Sequence, residues 1–243
     1  MSSFITYDYN NIVPSDLSSK TILMLGRGKD RNKRFYLGIK SMKYILKEVP
    51  ECQLKIISRL FGIGYLQNFT KKLSLQNHVK FVGYTSKPEI YFKNASLHIF
   101  PTISESFGLA LCETKIYGIP SILLGLDYVS IAKGGTIIIY DDKPESIAKE
   151  AIKLLNNYKY RKKLGVKARK SVKQLNNDDV LLKWIKLILS VYKGDNYYEL
   201  LRKQDKKISN KDALNLINSQ IKLLKIRTSI FKNITINEFL NFI

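Results

Sequence analysis

A chain of 243 residues, 45% of them hydrophobic and 25% charged, can bury one sizeable core with an appendage; it is too short for two full-sized α/β domains and too apolar for wholesale disorder. The formal net charge is +21, from 41 Lys and Arg against 20 Asp and Glu. That charge fits a polyanion partner, an anionic membrane face, or a lysine-coated surface, the last because the basic residues are spread in short pairs such as Lys71-Lys72 and Lys162-Lys163.

Residues 1–19 are polar and turn-rich and read as a linker; their start lacks the basic-then-apolar order of a secretory signal. TILML (21–25) is a continuous apolar run of the kind a buried parallel strand shows. After a Gly-Arg-Gly turn, Phe35, Leu37, Ile39, Met42, Ile45 and Leu46 recur at helical spacing, and Pro50 ends the pattern. The alternation then repeats. Strand LKIIS (54–58) precedes a helical stretch around Leu66 to Leu75, and VKFVG (79–83) precedes a short helix from Lys87 to Lys93. LHIFP (97–101) leads through a loop into a helix from Leu109 to Tyr117, and SILLG (121–125) and TIIIY (136–140) follow. Asp141 to Glu145 open another helix, with Pro144 and an acid at its first turn. Six short apolar strands separated by helices predict an α/β fold with a doubly wound parallel sheet over residues 20–192. Leu164, Val172, Trp184 and Ile188 are the expected docking residues of its last helices, and residues 193–243 read as a helical tail.

Cys52 and Cys112 lack partners at metal-ligand spacing, so neither a disulfide framework nor a zinc site is expected and a reducing compartment fits better. No apolar run approaches the ~20 residues a membrane span needs. The expected location is therefore the cytoplasm, with a membrane surface as a second possibility through charge. His98 alternates with apolar neighbours on a strand and reads as a satisfied core histidine.

In a doubly wound sheet ligands bind outside the carboxyl ends of the strands, and three informative segments fall there. Gly26-Arg27 to Lys33 has neither the Rossmann glycine spacing nor a P-loop lysine. Arg27 can fork onto phosphate oxygens and Lys33 can add a point charge; an ordinary basic loop explains the same residues. Ile103 to Glu113 supplies Glu105 and Ser106 from a loop, and Gly108 before a helix whose first N–H groups would face an anion. Glu113, four residues after Leu109, falls on the helix face that can point back to the ligand, where a carboxylate suits the vicinal hydroxyls of a ribose. Glu105 could reach the hydroxyls of a sugar beyond the phosphates. The alternative is a solvated helical acid and a capping glutamate. At the end of the third strand, Gly83 would let a planar base approach and Tyr84 could stack on it, unless Gly83 merely turns the chain.

These residues resemble the C-terminal, donor-binding domain of family 4 glycosyltransferases, one Rossmann-like half of the two-domain GT-B fold. The resemblance covers about residues 20–192 and rests on GR at 26–27 with Lys33, VKFVGY at 79–84, the E-x7-E run FPTISESFGLALCE ending at 113, and YGIPSI at 117–122. It implies that Arg27 and Lys33 grip the diphosphate of a nucleotide-sugar. Glu105 would lie by the transferred sugar, Glu113 would bind the ribose, and the backbone of Phe107, Gly108 and Leu109 would hold phosphate or sugar oxygens. The implied chemistry is glycosyl transfer with retention of configuration, with no cofactor and no obligatory metal, and basic residues meeting the leaving-group charge. The family's acceptor domain is absent from the pattern, so a separate N-terminal acceptor-binding domain is an implied partner. Arg34 also departs from the family, which usually has a small residue after the lysine. The rival readings are a non-catalytic module that holds a nucleotide-sugar, and a nucleic-acid-binding protein. The paired glutamates argue against the last, because carboxylates aimed into a phosphate site repel a polyanion.

Overall fold

A strand covered on both faces has no solvent side to alternate with, so it reads as an unbroken apolar run. In the computed structural model, which describes residues 9–27, 31–59, 62–105, 107–126 and 132–173, six such runs pair. They are β1 (Thr21–Leu25), β2 (Gln53–Ile57), β3 (Val79–Phe81), β4 (Leu97–Phe100), β5 (Ser121–Leu124) and β6 (Thr136–Ile139). Every pairing is parallel, in the order β3-β2-β1-β4-β5-β6. The flanking helices are α1 (Phe35–Glu48), α2 (Gly64–Lys72), α3 (Glu89–Phe92), α4 (Leu109–Ile116), α5 (Pro144–Asn156) and α6 (Tyr158–Ser171). This is the expected doubly wound α/β sheet, with one difference: among the described residues no helix separates β5 from β6.

Helix α1 buries the stripe Phe35, Leu37, Ile39, Met42 and Ile45 in one cluster with Ile22 and Met24 of β1 and Leu54 and Ile56 of β2. It ends at Glu48, two residues before Pro50, because a residue preceding proline is pushed out of the helical region. Helix α5 starts at Pro144 with Glu145 in its first turn. Asp141 supports that start by accepting from the Lys143 N–H at 3.0 Å and the Ser146 hydroxyl at 2.9 Å. Strands β3, β4, β5 and β6 end one or two residues earlier than the apolar runs suggest, as the chain turns away from the sheet at their carboxyl ends.

Residues 11–19, expected as part of a linker, lie against the domain. The Ser15 N–H donates to the Tyr117 carbonyl at 2.9 Å and its hydroxyl to the Ala95 carbonyl at 2.6 Å, while Leu17 is buried. Arg161, also buried, spends its guanidinium on carbonyls: Nε and Nη2 donate to Leu17 at 2.9 and 2.6 Å, and Nη1 to Leu154 and Leu155 at 2.5 and 2.8 Å. Leu164 and Val172 are buried as expected. Trp184, Ile188 and the tail 193–243 lie outside the described residues.

The strand order reverses between β1 and β4. Loops leaving neighbouring strands at such a point diverge to opposite faces and open a crevice at the carboxyl edge.

Candidate functional site

Strand β1 leaves the sheet at Gly26, whose N–H donates to the Ile57 carbonyl at 3.2 Å. Its φ of +146 suits glycine, and a Cβ there would meet Lys33 Cδ at 3.3 Å, so the missing side chain leaves room for the lysine stem over the strand end. A single 3-10 turn, Arg31–Lys33, brings that lysine round. Arg34 follows with φ 46 and turns its side chain the other way. Its Nη2 lies 2.8 Å from Asp142 Oδ2, and its Nε donates to the Tyr36 hydroxyl at 3.3 Å. The residue that departs from the family pattern thus ties the loop to the β6–α5 connection.

The loop after β4 is bound to the same turn. The Ile103 N–H donates to the Asn32 carbonyl at 3.0 Å, and Lys33 Nζ donates to Glu105 Oε2 at 2.6 Å, with side chains only 13% and 20% exposed. Lys33 also sits 5.3 Å from the centre of the Phe100 ring. Gly108 then enters helix α4 with φ 85 and ψ 58, a left-handed conformation, and no side chain caps the helix among the described residues. The first turn therefore keeps N–H groups without a side-chain cap at the positive end of the helix dipole, where Leu109 and Ala110 line the crevice. Ser106 lies outside the described residues.

Across β1, Arg59 lies two residues past the end of β2, and its guanidinium stands 5.8 Å from the centre of the Tyr84 ring. Tyr84 follows β3 and is 74% exposed, whereas Gly83 before it is buried.

These loops enclose one cavity of about 460 Å³, within the roughly 300–1,000 Å³ of small-molecule sites. Of the residues singled out by sequence, Arg27, Lys33, Tyr84, Glu105, Leu109 and Glu113 line it. Gly83, Phe107 and Gly108 do not, each being next in the chain to a residue that does or to the uncapped turn. Ala110, whose N–H was expected to face an anion, lines the cavity too, whereas sequence reasoning missed Ser58, Arg59, Thr85 and Pro88. The signal for Arg59 was available: a basic residue immediately after a buried strand stands at the same carboxyl edge as Arg27.

Beneath the crevice, His98 is fully buried, with Nδ1 3.0 Å from Thr114 Oγ1 and 3.2 Å from Ser121 Oγ. Its Nε2 has no hydrogen-bond partner among the described residues, so the core histidine is satisfied on one nitrogen only. Desolvation, reinforced by Lys33 and Lys115, lowers its pKa to about 3 and keeps the ring neutral. Cys52 and Cys112 are buried free thiols, and burial pushes each up to about 12. No helix among the described residues is long and apolar enough to cross a membrane.

A six-stranded parallel sheet in this order, with a basic, carboxylate-bearing crevice at its switch point, has the Rossmann-like architecture of GT-B glycosyltransferases. The chain belongs to the glycosyl transferases group 1 family, whose model matches residues 8–171. It is similar to an uncharacterized glycosyltransferase of Haemophilus influenzae, 22% identical over 183 residues, or 72% of this chain and 52% of the relative. It is also similar to the poly(glycerol-phosphate) alpha-glucosyltransferase of Bacillus subtilis, 25% identical over 150 residues, covering 60% of this chain and 22% of the relative. The chain thus spans about half, or less, of the curated relatives it matches. Among solved structures, Anabaena HepE in complex with UDP and glucose superposes with a TM-score of 0.64 at 17% identity, over 76% of this chain and 55% of that one.

Proposed function

We propose that this domain binds a nucleoside diphosphate sugar and donates its glycosyl group with retention of configuration, as a family 4 member of its glycosyltransferase family. One observation carries the reading: a single cavity at the carboxyl edge brings together Arg27, Lys33, Tyr84, Glu105, Leu109 and Glu113. Arg27 and Lys33 bind the diphosphate with the first turn of α4, Glu113 takes the ribose hydroxyls, and Tyr84 stacks on the base. Glu105 is the catalytic carboxylate beside the transferred sugar. In the reaction the bond from the anomeric carbon to the diphosphate oxygen breaks and a bond to an acceptor oxygen forms on the same face. The acceptor proton passes to the leaving diphosphate. Charge on that leaving group is met by fixed cations and helix N–H groups rather than by a metal, electrostatic stabilisation that needs no rearrangement during the step. The acceptor is held by a separate N-terminal acceptor-binding domain.

The neighbour solved with UDP and glucose and the glucosyltransferase activity of the Bacillus relative make UDP-glucose the first donor to test. Titration by calorimetry should give saturable binding, weakened about tenfold by Glu113→Ala, the loss expected for one hydrogen bond to a charged group. A 2′,3′-dideoxyribose analogue, which lacks both hydroxyls, should bind wild type and variant alike. Equal weakening of both ligands would remove Glu113 from the ribose, and no binding of any nucleotide-sugar would remove the donor reading.

A further inference from the structure

We propose that Arg59 selects the base of the donor, favouring a base with carbonyl oxygens on its edge, uracil or guanine, over the amino bases adenine and cytosine. The inference rests on the donor reading above. Two of the cations around the crevice are held by carboxylates. Lys33 and Arg34 are each paired with a carboxylate, Glu105 and Asp142. Arg59 lines the same cavity, and its guanidinium stands 5.8 Å from the centre of the Tyr84 ring; no carboxylate among the described residues is paired with it.

Position separates Arg59 from the phosphates. Lys33 and Glu105 meet at the β1–β4 gap, whereas Arg59 and Tyr84 follow β2 and β3 on the other side of β1. Three inter-strand gaps separate β3 from β4, about 14 Å at the usual strand spacing. A nucleoside diphosphate lying with its phosphates at Lys33 and the first turn of α4 therefore brings its base to Arg59 and Tyr84, with its ribose between them.

Tyr84 cannot choose the base, because every base offers a π-face to a ring. Arg59 can. A guanidinium only donates hydrogen bonds, in a planar fork. It meets two acceptors at guanine O6 and N7, or one at uracil O4, whereas adenine N6 and cytosine N4 are amino donors that oppose it, leaving adenine only N7 and so no forked pair. The Tyr84 ring, its centre 5.8 Å away, attracts the guanidinium and limits the rotamers lost on binding.

Calorimetric titration of the full chain with UDP, GDP, ADP and CDP, before and after Arg59→Ala and Arg59→Lys, tests this. Wild type should bind UDP or GDP at least about tenfold more tightly than ADP and CDP, the discrimination one well-made base contact supplies. The tighter of UDP and GDP then names the base. Arg59→Ala should bring that ratio close to one while changing ADP affinity by less than about twofold, and Arg59→Lys should restore charge without restoring the ratio. Because Arg59 is exposed, both variants should melt at the wild-type temperature without nucleotide. Equal weakening for all four nucleotides would assign Arg59 to the phosphates and overturn the proposal, as would an unchanged ratio. Failure of wild type to bind any of the four would overturn the donor reading along with it.

Discussion

At the β1–β4 end of the crevice, Lys33 and Glu105 are mostly buried, 2.6 Å apart, on loops joined by the Ile103–Asn32 backbone hydrogen bond. At the β2–β3 end, Tyr84 is 74% exposed and Arg59 rests on its ring. The first end is set before a ligand arrives, and in the proposed donor site its fixed charges would supply affinity and transition-state stabilisation without reorganisation. The second end is exposed and adaptable, which suits discrimination between bases of similar size. The proposed donor site thus divides affinity and choice between opposite sides of β1.

The largest expected effect on this division is at Arg27. Arg27→Ala should weaken nucleotide-sugar binding about ten- to a hundredfold, the loss of a charge-assisted hydrogen bond or two, and equally for every base. A base-dependent loss would merge the two ends. Next comes the pH dependence beneath the tied end. His98 resists protonation down to about 3, while in the unfolded chain it takes a proton near its ordinary value of about 6.5. Between those values the unfolded state binds more protons, so stability falls as pH drops through that window, by up to about 1.4 kcal/mol per pH unit. Urea unfolding at several pH values should show this slope, and His98→Gln should flatten it. The smallest effect tests the ion pair itself. Glu105→Gln frees Lys33 from its carboxylate, so UDP without a sugar should bind about two- to fivefold more tightly, a gain at the upper end of what a solvent-reached ion pair carries. The extra affinity conferred by the sugar should fall. Weaker UDP binding would mean that Glu105 positions Lys33 for the phosphate rather than competing with it.

Much of this was legible in the sequence, and for a physical reason. Buried parallel strands are unbroken apolar runs, so TILML and SILLG announce β1 and β5 almost to the residue. The E-x7-E segment was readable because loop, left-handed glycine and helix follow one another locally, and Glu105, Leu109 and Glu113 do line one cavity. Pairings over long separations were not legible. Nothing local says that Lys33 meets Glu105, or that Arg34 turns away to Asp142. The orphaned Nε2 of His98 depends on packing from three elements, beyond any periodicity. Residues 11–19 were misread because one buried leucine among polar neighbours leaves almost no pattern.

That leucine's carbonyl has a consequence for where the smallest autonomous folding unit begins. Arg161 completes its hydrogen bonding only when Leu17 is present, and a buried guanidinium with unmet donors is costly. A fragment trimmed to residue 20, where the apolar pattern starts, would keep the whole sheet yet leave that cation facing a gap. The energetic edge of the domain therefore lies several residues ahead of its first strand, in a polar segment that carries no strand or helix of its own.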